Sequence, residues 1–182
     1  MLKEKLIITK KAAYAAFFFN LFEMKTKLSY NELKMKMQYY CSYQERSHSE
    51  VLRKIKTYYP KHEEINSIIS DLIKEDYLNE TRFAKTFTRG KFNFKNWGKN
   101  RIKLELKKRN ISEKNIELGL KEIDSKDYEK KFDDLFEYIS SKHKNLGKLN
   151  RKKKVFDYLQ YRGWENDKIF KKINELWKKY YW

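Results

Sequence analysis

The sequence predicts an all-α protein built from three tandem three-helix repeats that form an elongated, curved array. Two observations carry this. The 182 residues contain one proline and five glycines, too few turn-making residues for a sheet-rich fold or for a flexible Pro- or Gly-rich linker. An aliphatic pattern also recurs: Val51, Ile55, Ile65, Ile69 and Leu72 reappear 51 positions later as Ile102, Leu106, Ile116, Leu120 and Ile123. A further 53 positions on they are Val155, Leu159, Ile169, Ile173 and Leu176. Such self-similarity is the mark of a repeat architecture.

Within each copy the first two positions are four apart and the last three follow i, i+4, i+7, so each copy holds a pair of helices with one apolar face apiece. The turn inside the pair falls at Tyr59, Asn110 and Gly163, followed by Pro60, Ile111 and Trp164. Gly and Asn tolerate the left-handed conformation that ends a helix, and the apolar residue after them can pack back on the last turn. The first copy is expected to differ, because Pro60 biases Tyr59 toward an extended backbone. Ser47 with Glu50 fits a capping box, and Ser112 fits an N-cap.

A third helical segment precedes each pair, at 30–43, 80–92 and 127–140. The interruption at 76–79 is then a joint between repeats, with Asn79 capping the helix that follows. The expected organisation is an N-terminal extension over 1–29 and repeats over 30–78, 79–124 and 125–182. A single unit of this size buries little apolar surface, so neighbours must lean on one another. The extension carries an apolar run within residues 10–22, "KKAAYAAFFFNLF", which is too short to cross a bilayer and lacks a cleavage pattern. It reads as an accessory helix or an over-long start before Met24, with a signal peptide or surface anchor as the alternative.

Forty-three Lys and Arg against 25 Asp and Glu give a net charge of +18. That excess repels itself in a compact fold and calls for a polyanionic or acidic partner. Residues 85–109 hold ten cations and one acid, Glu105, and residues 142–154 hold seven cations and no acid. A basic run by itself is usually a solvated helix face, but two clusters at related places in a repeat can line one side of a scaffold and track phosphates. Phe92, Phe94 and Trp97, interleaved with the first cluster, are either packing residues or platforms for unpaired bases.

Little points to catalysis. His48, His62 and His143 are dispersed, the only cysteine is Cys41, and no phosphate-cradling glycine loop is present, so no metal, cofactor or catalytic residue is expected. One cysteine allows no internal disulfide and suggests no oxidising compartment. The expectation is a cytoplasmic monomer that does not engage membrane.

Three stretches, "QERSHSEVLRKI" from Gln44, "LIKEDYLNETRFAKTFTRGK" from Leu72 and "WGKNRIKLELKKRNISEKNIELGLKEID" from Trp97, resemble the RecX regulatory proteins. They are similar to that family's R-S-x-x-E-L repeat start, its L-x-x-x-x-Y-L-[ND]-[DE]-x-R-F-A joint and its K-G-x-x-[RK]-I helix pair. The resemblance spans residues 31–177, and Tyr59 stands where the family often has Gly. It implies a non-enzymatic modulator of homologous recombination and the SOS response. Such a protein lies in the groove of the RecA–DNA filament and blocks strand exchange, ATPase and co-protease activity.

On that reading Arg89, Lys95, Lys99, Arg101, Lys108, Arg109, Arg151, Lys152, Lys153 and Lys154 face the filament and its single- or double-stranded DNA. Two other classes stay open. One is a stand-alone basic nucleic-acid-binding protein; the other is a scaffold joining membrane to nucleoid through residues 12–19.

Overall fold

Nine α-helices make up the described part of the chain. The computed structural model describes residues 28–178, with side chains to Leu176, so the accessory helix or anchor expected within residues 10–22 lies outside the described residues. The helices are α1 (Tyr30–Tyr43), α2 (His48–Lys56), α3 (His62–Lys74), α4 (Glu80–Lys95), α5 (Lys99–Lys107), α6 (Glu113–Leu120), α7 (Ser125–Lys142), α8 (Lys148–Tyr161) and α9 (Asn166–Lys178). No strand occurs among the described residues. Packing follows chain order: α1, α2 and α3 form one bundle, α4, α5 and α6 a second, and α8 bridges α7 and α9 in the third.

Helix starts are written in side chains. Ser29 accepts from the Glu32 N–H while the Glu32 carboxylate accepts from Ser29 N–H, and Ser47 and Glu50 repeat the arrangement. Asn79, Ser112 and Asp124 cap α4, α6 and α7. Such caps satisfy backbone donors that have no partner inside the helix. The joint at 76–79 ends α3 with Asp76 at φ 56°, buries Leu78 and begins α4 at the Asn79 cap.

The aliphatic positions of the repeat form the cores. Val51, Ile55, Leu72, Ile102, Leu106, Ile116, Val155, Leu159 and Ile169 are fully buried, while Ile69, Leu120 and Leu176 are half-buried. In repeat 1 it is Ile68, not Ile69, that joins Leu72 as a fully buried residue of α3. Ile123 is buried too, but from the turn that follows α6 rather than from the helix itself.

All three internal corners are left-handed: φ is 51° at Tyr59, 58° at Asn110 and 82° at Gly163. The expectation of an extended Tyr59 is therefore corrected. Proline disfavours the right-handed helical region for the residue before it, which leaves the left-handed well open. There Tyr59 N–H reaches Lys56 O at 3.2 Å and closes the last turn of α2, with its side chain in solvent.

The corners also build the array. The backbone at the start of α5 lies against the corner of repeat 3: Gly98 N–H donates to Arg162 O at 2.8 Å and Asn100 N–H to Gly163 O at 3.1 Å. A Cβ on Gly98 would sit 2.4 Å from Gly163 O, and one on Gly163 would sit 2.3 Å from the Arg101 backbone N. Trp164, next to that corner, is buried on Tyr128 and Phe132 and donates its indole N–H to Asn96 O. Repeats 2 and 3 consequently share one apolar core.

Repeat 1 has its own core and meets repeat 2 at the corresponding place through polar groups. Ser49 Oγ donates to Arg109 O at 3.1 Å, Arg109 Nε lies 3.5 Å from Glu50, and Arg82 pairs with Glu45.

This geometry predicts that Gly163→Ala costs about 3 kcal/mol or more, through left-handed strain plus overpacking at the joint. Urea denaturation followed by helical circular dichroism measures it; a change under about 0.5 kcal/mol would show that the joint does not require glycine.

Candidate nucleic-acid interface

The cations of 85–109 are not equivalent once folded. Glu122, at the end of repeat 2, takes Lys85 at 3.0 Å and Arg89 at 2.9 Å. Glu113, at the start of α6, takes Lys107 at 2.5 Å and Lys103 at 3.6 Å. Glu105 takes Lys108 at 3.0 Å and Arg109 at 2.9 Å. Six of the ten cations are thus spent on three carboxylates, two of which lie outside the basic run. The acids respond: Lys85 holds Glu122 below the usual carboxylate range, Lys107 does so for Glu113, and Arg109, then Lys108, for Glu105.

The other four, Lys91, Lys95, Lys99 and Arg101, have no acidic partner among the described residues, and they flank the turn from α4 to α5. Lys91 Nζ lies 5.1 Å from the Phe87 ring centre and 5.3 Å from that of Trp97. Lys99 Nζ lies 4.5 Å from the Tyr128 ring, and Lys95 is exposed. The Arg101 guanidinium is stacked between Trp97 and Tyr161, at 4.4 and 4.5 Å, and donates to Tyr161 O at 2.7 Å. Cation–aromatic contacts hold the charge in place without neutralising it.

Two cations arrive from repeat 3. Lys131 Nζ lies 3.5 Å from both Asn93 O and Asn96 Oδ1, and Arg162 donates to Lys95 O at 3.5 Å. Neither has an acidic partner among the described residues. The result is one cationic patch, with Lys91, Lys95, Lys99, Arg101, Lys131 and Arg162 around the α4–α5 turn.

Of the residues chosen from sequence, the structure brings Lys95, Lys99 and Arg101 into this patch. Arg89 sits in the Glu122 pair and Lys108 on Glu105. Arg109 is a joint residue, stacked over Phe87 at 4.9 Å and tied to Glu105 and Glu50. Arg151 locks α8 to α7 by donating to Ser140 O at 2.9 Å and Ser140 Oγ at 2.8 Å. Lys152 is half-buried, whereas Lys153 and Lys154 are exposed on α8. Lys131 and Arg162 were missed; Arg162 was findable, since a 53-residue step places it on Arg109.

The aromatic residues divide as well. Phe92 is buried against Tyr128 and Trp97 packs on Phe87, so both are packing residues; Phe94 is 84% exposed.

Among the described residues no group of three or more His, Cys, Asp or Glu is placed to hold a metal ion, and no helix is long and apolar enough to cross a membrane. Cys41 is buried, which pushes its thiol up to about 11.

Fold and patch together define an all-helical protein of tandem three-helix repeats with a cationic turn at its centre. The second three-helix domain of RecX, as a family profile, matches residues 79–120. Regulatory protein RecX of Streptococcus uberis is 33% identical over 86 residues, which is 47% of this chain and 33% of that protein; the match thus spans a third of the relative's length. The crystal structure of RecX from Lactobacillus salivarius superposes with a TM-score of 0.70 at 27% identity, over 81% of this chain and 96% of that one. A crystal structure of regulatory protein RecX gives 0.69 at 20% identity, over 80% and 74%, and bears on the fold alone. The chain is thus similar to RecX proteins in its second three-helix repeat and in its fold.

The carboxylate hubs predict an acid-sensitive fold. Each lowered carboxylate stabilises the native state fully above its ordinary value of 4.5 and loses that contribution as pH falls through its depressed folded value. E105Q/E113Q/E122Q should be less stable than the parent at neutral pH and lose less further stability between about pH 6 and about pH 3. Parallel pH–stability curves for the two proteins would contradict this.

Proposed function

We propose that this protein regulates homologous recombination by binding the RecA–DNA filament and inhibiting its strand exchange, ATPase and co-protease activities, without catalysis of its own. The observation that carries this reading is the patch at the α4–α5 turn. It is the place where cations of two repeats converge without an ion pair to any carboxylate among the described residues, on a joint whose backbone contacts fix their spacing. A filament presents phosphates and acidic subunit surfaces in a repeating groove. An array of repeats, here taken as 30–78, 79–124 and 125–182, can meet several subunits at once, so that modest contacts sum to tight binding. The relatives' description as regulatory proteins supports the same reading.

The test is RecA ATPase on single-stranded DNA, titrated with the full chain. Lys91→Glu with Lys95→Glu should raise the concentration needed for half-inhibition by about tenfold or more, at unchanged helicity. Arg101→Ala and Arg109→Ala should instead lower thermal stability, because both residues hold joints. Unaltered inhibition by the double variant would remove the patch from the mechanism. Tight, salt-sensitive binding to bare DNA with no effect on RecA would favour a stand-alone nucleic-acid-binding protein.

A further inference from the structure

Beside the cationic turn, the second half of α4 faces the segment that follows α1 across an open cleft of about 320 Å³. That size is at the small end of ligand-sized clefts. Along α4, Phe83, Phe87, Gly90, Lys91 and Phe94 recur at three- and four-residue spacing and so share one face. The face runs from buried at Phe83, through half-buried Phe87, to Phe94 in solvent. Lys91 and Lys95 stand on the cleft wall, and its one carboxylate, Glu45, is already paired with Arg82.

Gly90 is the second observation. Glycine inside a helix costs about 1 kcal/mol relative to alanine, and the protein's other close-packed glycines repay it: a Cβ on Gly119 would lie 2.9 Å from Ala84 O. At Gly90 a Cβ would meet nothing within 4 Å, and its φ is not positive. Neither packing nor backbone conformation asks for glycine there. What its absent side chain does is keep the floor of the cleft open between Phe87 and Phe94.

We propose that this cleft holds an unpaired base of a single DNA strand, stacked on Phe94, with Lys91 and Lys95 on the neighbouring phosphates. An exposed aromatic ring flanked by unneutralised cations is the pairing that single-strand binding uses, since every base has a π-face and every linkage a charge. A duplex keeps its bases stacked on one another and cannot offer one to the ring. The inference rests on the proposed function only in that the cleft borders the same patch.

Anisotropy of labelled oligo-dT and of a blunt duplex of equal length, titrated with the full chain, tests it. Phe94→Ala should weaken oligo-dT binding by about tenfold or more and duplex binding by less than about twofold. Phe94→Trp should restore the single-strand affinity. Gly90→Leu should fill the cleft and lose single-strand binding in the same way, while raising thermal stability through its better helix propensity. The idea is overturned if Phe94→Ala and Gly90→Leu bind oligo-dT like the parent, or if single-strand and duplex affinities fall together. Phe94-dependent oligo-dT binding without inhibition of RecA would leave this inference standing and reject the proposed function instead.

Discussion

Close backbone contact at the corner between repeats 2 and 3 is the constraint on which the rest of the structure depends. Gly98 and Gly163 let the main chain at the start of α5 donate two hydrogen bonds to that of the corner at a distance no side chain would permit. That approach brings Trp164 into the shared core, places Arg162 beside the end of α4, and lays Arg101 between Trp97 and Tyr161. The cationic patch is therefore a product of packing. Its charges come from three helices and a corner, and their spacing is set by a joint with little room to adjust. The joint between repeats 1 and 2 reuses the same positions with softer chemistry, Ser49 and Glu50 meeting Arg109, and keeps two separate cores. Ion pairs at that level of exposure contribute little each and are screened by salt.

Electrostatics then decides which cations remain available to a partner. A net charge of +18 says that the protein is basic, but not where a phosphate would settle. Glu105, Glu113 and Glu122 each gather two cations and remove them from competition; Glu113 ties α6 to α5 and Glu122 ties the turn after α6 to the middle of α4, while the Glu105 pairs are local to the end of α5. Stacking on an aromatic ring has the opposite outcome: it orders Lys91, Lys99 and Arg101 while leaving their charge to act on whatever approaches. The field is focused at the α4–α5 turn because the cations there are not paired to carboxylates, rather than because lysine is dense.

Much of the architecture could be read from the chain, because the features that carry it are periodic. The three aliphatic quintets specify helix faces and the repeat at once, and Ser47, Ser112 and Asn79 mark helix starts by local chemistry alone. The Tyr59 corner was misjudged: a local rule about proline was applied where the need to close the α2 turn in a repeated corner prevailed. The interface was less legible for a different reason. Arg109 and Arg151 look like binding residues in a basic run, yet each spends its guanidinium on the fold, and the acids that neutralise Lys85, Arg89 and Lys107 arrive from a later helix or turn. Charge density along a sequence is a one-dimensional quantity, whereas pairing is decided between elements. Lys131 and Arg162 lay outside the run altogether.

The central claim is that the α4–α5 turn is where this protein meets a nucleoprotein filament. Lysine acetylation footprinting of the full chain, with and without preformed RecA–DNA filament, addresses it most directly. The account predicts that Lys91, Lys95, Lys99 and Lys131 become protected while Lys85, Lys103 and Lys107 react as before. Protection confined to other lysines, or spread evenly over all three repeats, would contradict it.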